Sequence, residues 1–418
     1  MGTTHTDRQT EGRCPANSGK GTHLREAHAV GVMSWRGVSL VTGWQLTASL
    51  CFYTIFAATA FVRETFGVSR ALTGLAVTAV MLGYTALLFA TGAAADAFGE
   101  RPLMVYGLLA LAGGTALVGI APTFPILLLA LIGVGLAYAA AMPATNRATI
   151  VVAPKGREAL AMNVKQVGVT VGSAIAALLV TRIAATEFGW QAGFLVAAGV
   201  AVVVAGLTAW RYEGKPGGGD LSFPDVRGLL DDPSYRGLVV SGLFLGAAVF
   251  TTTGYTVLHV TESVGAAAGV AGAVLATVQL TGSAGRLVGG EIADRLPGRP
   301  ERGPALVLTV QAALAAVGFL LVVAADSEVV SWAAFAFLGL FILGFPGVYY
   351  ATMTALVDDD EVGAATAGGQ TAINLGGLSA PPLFGLVVDA TGYDTGWTLT
   401  AGLAAIAAVV VWVLILRE

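Results

Sequence analysis

Two short stretches of the chain put acid and base where neither is cheap. In Thr91–Pro102 ("TGAAADAFGERP"), Gly92, Asp96, Gly99 and Arg101 stand at set intervals. In Gly285–Gly303 ("GRLVGGEIADRLPGRPERG") the skeleton returns as Gly290, Asp294, Gly298 and Arg299, the arginine one position early. Each stretch ends an apolar run on an Asp, a glycine turn and an Arg. A carboxylate at that depth is costly unless it meets a cation or the positive N-terminal end of another helix. Such a contact can form in one arrangement of two bodies and break in another, so its chemistry is that of a latch. The glycines let neighbouring helices approach closely at the same level.

A second set of residues suits anion binding. Arg147, Lys165 and Arg286 fall within or at the ends of apolar runs, and no carboxylate sits at the centre of any run. Intramembrane cations are expensive and usually face a bundle interior or a wet cavity. An arginine fork there can hold a carboxylate or nitrate through two parallel bonds. Each cation also has a plainer reading. Arg147 lies near the end of its run, where it can pair with Asp96 or a lipid phosphate, and Lys165 is little more than a turn inside its run, where it can snorkel. Arg286 lies eight residues before Asp294, about 12 Å deeper at helical rise, where snorkelling is harder. Gln45, Tyr53, Gln166, Tyr255, Gln279, Tyr349, Tyr350, Gln370 and Asn374 are polar neighbours that either complete a site or join helices by hydrogen bonds.

The elements that must position these groups follow from composition. The chain has 418 residues, 56% hydrophobic and 11% charged, with a mean hydropathy of +0.77. Soluble proteins carry roughly 25% charged residues, so this chain cannot coat itself with polar surface. Apolar runs long enough to cross a bilayer recur along nearly the whole length. They fall at 38–61, 71–94, 102–121, 124–150, 160–183 and 190–211, then at 237–260, 266–291, 303–325, 331–356, 363–388 and 397–416. These runs predict an all-α polytopic membrane protein of twelve spans: a tail at 1–34, a six-helix bundle at 35–211, a linker at 212–236 and a second bundle at 237–418. Asp96, Pro143, Gln166 and Trp190 recur as Asp294, Pro346, Gln370 and Trp397, each about 200 residues on, the mark of a duplicated unit. Duplicated halves around a midplane site are a transporter arrangement. Pro143, Pro346 and the pair Pro381–Pro382 are expected to kink helices.

Lys and Arg cluster in alternate loops, at Arg36, Arg101, Lys155, Arg157, Arg211, Lys215, Arg227, Arg236, Arg295, Arg299, Arg302 and Arg417. The opposite loops hold Arg63, Arg70 and Arg182. The positive-inside rule then puts both termini in the cytoplasm of a cell-membrane protein, and the acidic loop Val357–Gly363 weighs little against it. The first 32 residues lack a signal peptide's apolar core and cleavage site. They are expected to be disordered or a gene-model extension, with Met33 as the true start. Cys14 and Cys51 form no disulfide framework, and of His5, His23, His28 and His259 only the last falls near a span.

The two charged stretches resemble the loop signature of the major facilitator superfamily, Gly-x-x-x-Asp-x-x-Gly-x-Arg/Lys, and the resemblance runs over Trp35–Arg417. It implies two six-helix bundles related by a pseudo-two-fold axis, rocking about a substrate held between them. The signature residues would then govern cycling and not substrate choice. Where drug antiporters of that superfamily carry Arg and Gln in the fourth span, this chain has Leu129 and Ile132. Where their fifth span has Gly-x-x-x-Gly-Pro, it reads Gly168, Gly172 and Ser173. Asn146–Val180 is instead similar to the fourth and fifth spans of nitrate/nitrite and cyanate-type permeases. That local similarity implies a small anionic substrate, nitrate- or cyanate-like or a small carboxylate. Drug efflux or a neutral solute such as a sugar stays as the alternative, and a non-transporting sensor as the remote one.

A membrane enzyme is not expected, because no nucleophile, base or metal ligands converge. Neither a cofactor nor a nucleic-acid partner is expected. The partners implied are a small molecule, the lipid bilayer and, depending on mechanism, a coupling ion, with the chain acting as a monomer. No Asp, Glu or His lies mid-span, so the sequence leaves open whether transport is coupled, and to what.

Overall fold

The computed structural model describes Gly2 and residues 34–218, 228–358 and 361–416. The tail expectation, Met33, and the linker core at 219–227 with Arg227, as well as Arg417, lie outside the described residues. Fourteen α-helices are described: α1 (Trp35–Phe66), α2 (Arg70–Phe98), α3 (Glu100–Gly119), α4 (Phe124–Tyr138), α5 (Ala141–Val152), α6 (Glu158–Ala184), α7 (Gly189–Arg211), α8 (Pro233–Glu262), α9 (Ala268–Arg295), α10 (Arg302–Val323), α11 (Glu328–Ile342), α12 (Pro346–Ala355), α13 (Val362–Thr391) and α14 (Tyr393–Val411). They make twelve stretches long and apolar enough to cross a membrane, because α4–α5 and α11–α12 are each one span broken in two.

The helices outrun the apolar runs because their polar ends are capped. Ser34 accepts from the Gly37 amide, Ser69 from Leu72 and Asp232 from Ser234, each satisfying an amide that a helix start leaves orphaned. The two breaks occupy equivalent places in the two halves and follow from proline. Pro143 has no N–H to offer the Ala139 carbonyl four residues back, and that carbonyl accepts instead from the Thr91 hydroxyl at 2.9 Å. Pro346 opens α12 in the same way after the turn Leu343–Phe345.

Within the first half α1 packs on α6 and α3 on α7; within the second, α8 packs on α13 and α10 on α14, the corresponding pairs. Across the halves α2 meets α13 and α6 meets α9. Side chains on the outer faces of both halves, such as Leu117, Val203, Val329 and Val409, are exposed and apolar, as a lipid-facing surface requires. Where α2 crosses α4 the approach is set by Gly83 and Gly135, at either of which a Cβ would overlap the other helix's carbonyl oxygen.

Candidate functional site

A cavity of about 190 Å³ lies between the halves, walled by α1, α2, α4, α5 and α6 on one side and α8, α9, α12 and α13 on the other. Among the described residues its polar lining is Tyr53, Tyr84, Tyr138, Gln166, Thr253, Gln279, Arg286, Tyr350 and Gln370, with no Asp or Glu. Arg286 is held by the broken span. Its Nε donates to the Leu343 carbonyl at 2.9 Å, an acceptor the turn between α11 and α12 leaves free. Gly285 lets α9 come this close, since a Cβ there would overlap the Leu340 carbonyl. Among the described residues the terminal guanidinium nitrogens have no hydrogen-bond partner and the side chain makes no ion pair. A fork of donors therefore faces the cavity without a counter-charge.

The other polar groups are partly pre-set. The Tyr350 hydroxyl donates to Gln370 Oε1 at 2.5 Å, and Gln370 Nε2 donates to Asn374 Oδ1 at 2.8 Å. Gln166 and Gln370, at equivalent positions in the two repeats, both face the cavity. Gln166 Oε1 is buried with no partner among the described residues, and a buried acceptor in that state costs about 1–3 kcal/mol. Phe52 stacks on Tyr138 with ring centroids 4.0 Å apart, and Phe250 adds a further aromatic wall.

Six of the sequence candidates stand off the cavity. Gln45 is buried in a bond from the Thr145 hydroxyl at 2.7 Å. Asn374 backs Gln370 from the protein interior. Tyr349 is fully buried, its hydroxyl end against Gly242. Tyr255 reaches the Arg70 and Pro381 carbonyls far from Arg286. Lys165 is wholly buried behind the wall, donating to Asn146 Oδ1 at 2.7 Å and touching Met142 Sδ at 3.8 Å. Arg147 joins the signature cluster.

That cluster turns on Glu100, the first residue of α3, which lies inside the signature stretch but is none of its named positions. Its carboxylate is fully buried and accepts from Arg147 Nε at 2.9 Å, the Tyr212 hydroxyl at 2.9 Å and the Lys215 amide at 2.8 Å. Burial and the Glu100 charge together push the Tyr212 phenol well above its ordinary range. Arg147 also reaches Asp96 at 3.3 Å. Gly99, at φ +82°, has no room for a Cβ beside the Lys215 carbonyl, and Arg101 donates to the Ala209 carbonyl at 2.8 Å. The signature thus ties the start of the linker to the first half. Asp96 and Asp294 are both exposed, and among the described residues neither pairs with the opposite half. Between the halves at this end lies a vestibule of about 840 Å³, lined by Leu88, Asp96, Met142, Leu229, Tyr350 and Glu361.

Acid-to-helix-end contacts between the halves are found at the end opposite the signature. Asp389 of α13 accepts from the Arg70 and Ala71 amides at 3.2 and 3.0 Å, capping the first turn of α2. Glu262, the last residue of α8, pairs with Arg63 at 2.6 Å and Arg70 at 2.7 Å and accepts from the Tyr393 hydroxyl at 2.9 Å. Pro382 lacks the N–H that would bind the Leu378 carbonyl, which receives the Thr78 hydroxyl of the opposite half at 2.6 Å. Gly74 seats against Pro381, where a Cβ would lie 2.6 Å from the Pro381 carbonyl group. The halves are therefore sealed at the Arg70 end and parted at the Asp96 end.

Sequence reasoning missed Tyr84 and Tyr138, which line the cavity from inside apolar runs. It also missed the Arg63–Glu262–Arg70–Asp389 network. The signal for the tyrosines was a lone phenol deep within each of two mostly apolar spans. The signal for the network was two acids, Glu262 and Asp389, at the ends of second-half spans facing the loops that carry Arg63 and Arg70.

A family model described as Major Facilitator Superfamily matches residues 43–359. No curated protein sequence matches the chain. Among solved structures, a bacterial homolog of the human lysosomal transporter Spinster in an inward-facing, occupied conformation superposes with a TM-score of 0.77 at 15% identity, over 90% of this chain and 96% of that one. The same homolog, inward-facing and unoccupied, gives 0.78 at 15% identity over 91% and 96%. A point mutant of the nucleoside transporter NupG gives 0.76 at 14% identity over 90% of this chain and all of that one. At these identities the likeness concerns the fold.

Proposed function

We propose, from the premise that this chain belongs to the major facilitator superfamily, that it is an alternating-access carrier of a small anion. The observation that carries this reading is Arg286, a cation with its fork free toward a cavity that no acid lines among the described residues. An anion there would satisfy the guanidinium through parallel charge-assisted bonds. Tyr53, Tyr350, Gln166, Gln279 and Gln370 would supply the remaining contacts, and a volume of about 190 Å³ suits a solute well below drug size. Nitrate, cyanate and small monocarboxylates meet these terms.

The positive-inside distribution supports cytoplasmic termini in the cell membrane, which makes the Asp96 end the inner face and the described conformation inward-facing. Residues 35–211 and 237–418 are then the two moving bodies, joined by 212–236, and a single chain forms the whole pathway. Closing the inner face brings Asp96 and Asp294 toward the opposite half, where each can clasp a helix end as Asp389 clasps α2 at the outer face. The chemistry of the site is binding and release, so no catalytic step is assigned.

Thermal unfolding of the purified protein with nitrate, cyanate, pyruvate, a nucleoside and a hydrophobic cation tests the reading, since ligands stabilise what they bind. Stabilisation by the anions that is lost in Arg286→Gln supports it. The stacked rings of Phe52 and Tyr138 and the three glutamines favour a second reading, a neutral planar solute. Stabilisation by the nucleoside alone would establish that reading in place of the first.

A further inference from the structure

The anion-carrier reading leaves Lys165 without a part, and its surroundings are not those of a structural cation. The side chain is wholly buried in α6, and it makes no ion pair among the described residues. A buried charge without a partner is strongly disfavoured. Nζ has two acceptors, Asn146 Oδ1 and the Met142 thioether. An ammonium has three N–H donors and would leave one unmet. A neutral amine has two, which match, and keeps a lone pair to take up a proton.

The charged groups on the elements packed against α6 sharpen this. On α5, Arg147 is held by Glu100 and Asp96. On α9, Arg286 stands at the same depth, since the Thr170–Ser283 bond sets the register of the two helices, while Glu291 and Asp294 lie at that helix's inner end. On α1, Arg36 begins the helix and Arg63 and Glu64 end it, and α7 ends on Arg211. Arg286 is thus the intramembrane neighbour that lacks a counter-charge among the described residues, and it opposes an ammonium on Lys165 until a negative charge joins them. An anion on Arg286 is that charge. Both of its contacts border open space: Met142 lines the central cavity and the inner vestibule, and Asn146 lines a pocket beside Asp96 and Arg147, so one side chain separates the Lys165 amine from each.

We infer that the Lys165 amine binds a proton carried together with the anion. With the outer face open, the Nζ lone pair takes a proton from cavity water as the anion settles on Arg286. With the inner face open, the anion leaves and the ammonium returns its proton to water at the Asn146 side. Only an N–H bond forms and breaks, and one anion with one proton crosses without net charge. By linkage each ligand raises the affinity for the other.

The inference rests on the anion-carrier reading, and one experiment in proteoliposomes separates the two. Radiolabelled nitrate and pyruvate are followed in counterflow without a pH gradient and in uptake driven by an acidic exterior. Wild type is expected to show both, accumulating the probe about tenfold per pH unit. Lys165→Met and Lys165→Arg, fixed neutral and fixed charged, are expected to keep counterflow and lose the driven accumulation. Asn146→Asp, which leaves Lys165 in place and gives it a standing counter-charge, is expected to do the same and covers the case in which the lysine variants fail to fold. No counterflow of either probe in wild type would sink the anion reading itself. Counterflow without driven accumulation in wild type, or accumulation that persists in any of the three variants, would overturn the proton site alone.

Discussion

Replacing Glu262 by Gln probes the seal at the outer face without changing its shape. The carboxylate holds Arg63 at 2.6 Å and Arg70 at 2.7 Å, accepts from Tyr393 at 2.9 Å and is one-fifth exposed. A hydrogen bond to a charged group is worth about 1.5–3 kcal/mol. These groups regain water when the ends part, and partly exposed pairs retain about 1 kcal/mol each. Two such bonds are lost: Arg70 keeps Asp389 as a counter-charge, and Arg63 keeps none among the described residues. The closed outer face therefore loses about 2 kcal/mol, a shift of about thirtyfold in the ratio of open to closed. The assay is alkylation of Thr253→Cys, a position in the central cavity wall, by a membrane-impermeant maleimide added outside cells. The background carries Cys14→Ser and Cys51→Ala. Modification is expected to accelerate by about thirtyfold, or to the plateau set by a fully open outer face. Adding Arg70→Gln to Glu262→Gln is expected to contribute less than Arg70→Gln does alone, because the two share one network. A rate within twofold of the parent would refute the claim that this network holds the outer face shut.

Three further outcomes follow from the same geometry. Gly74→Val puts a branched side chain against the Pro381 carbonyl group, where a Cβ already lies at 2.6 Å; outside labelling of Cys at 253 should be fast and transport lost, with Gly74→Ala in between. Glu100→Gln removes a fully buried charge from Arg147 while Tyr212 and Lys215 keep a neutral partner; loss of about 2–4 kcal/mol should appear as a lower melting temperature of the ligand-free protein. Tyr350→Phe deletes the donor that orients Gln370; anion affinity measured by thermal shift should fall about fivefold, the worth of about 1 kcal/mol.

The twelve spans and the paired signature are legible because both are local. A bilayer demands about 20 apolar residues in a row, and Asp96 and Asp294 sit a few residues from their glycines. Arg286 is legible for the same reason, since its depth is measured from Asp294 along one helix. The outer seal is not local. Arg70 meets Asp389 across 319 residues, and each alone reads as a charge reaching for the membrane surface. Nor can sequence show which way the two halves are tilted, so the expected clasps at Asp96 and Asp294 could not be told from the one made by Asp389. Arg147, Lys165 and Arg286 look alike as intramembrane cations. What divides them is the neighbour each meets: buried Glu100 for the first, Asn146 for the second, and open space for the third.

The claim on which the account turns is that Arg286 receives an anion in the cleft between the halves. Tracer counterflow of nitrate and pyruvate in proteoliposomes of wild type, Arg286→Lys and Arg286→Gln tests it directly. The account predicts exchange in wild type, weakened exchange with the lysine, which keeps the charge but not the fork, and none with the glutamine. Anion exchange at the wild-type rate in Arg286→Gln, or a wild type that exchanges only a nucleoside or a hydrophobic cation, would contradict it.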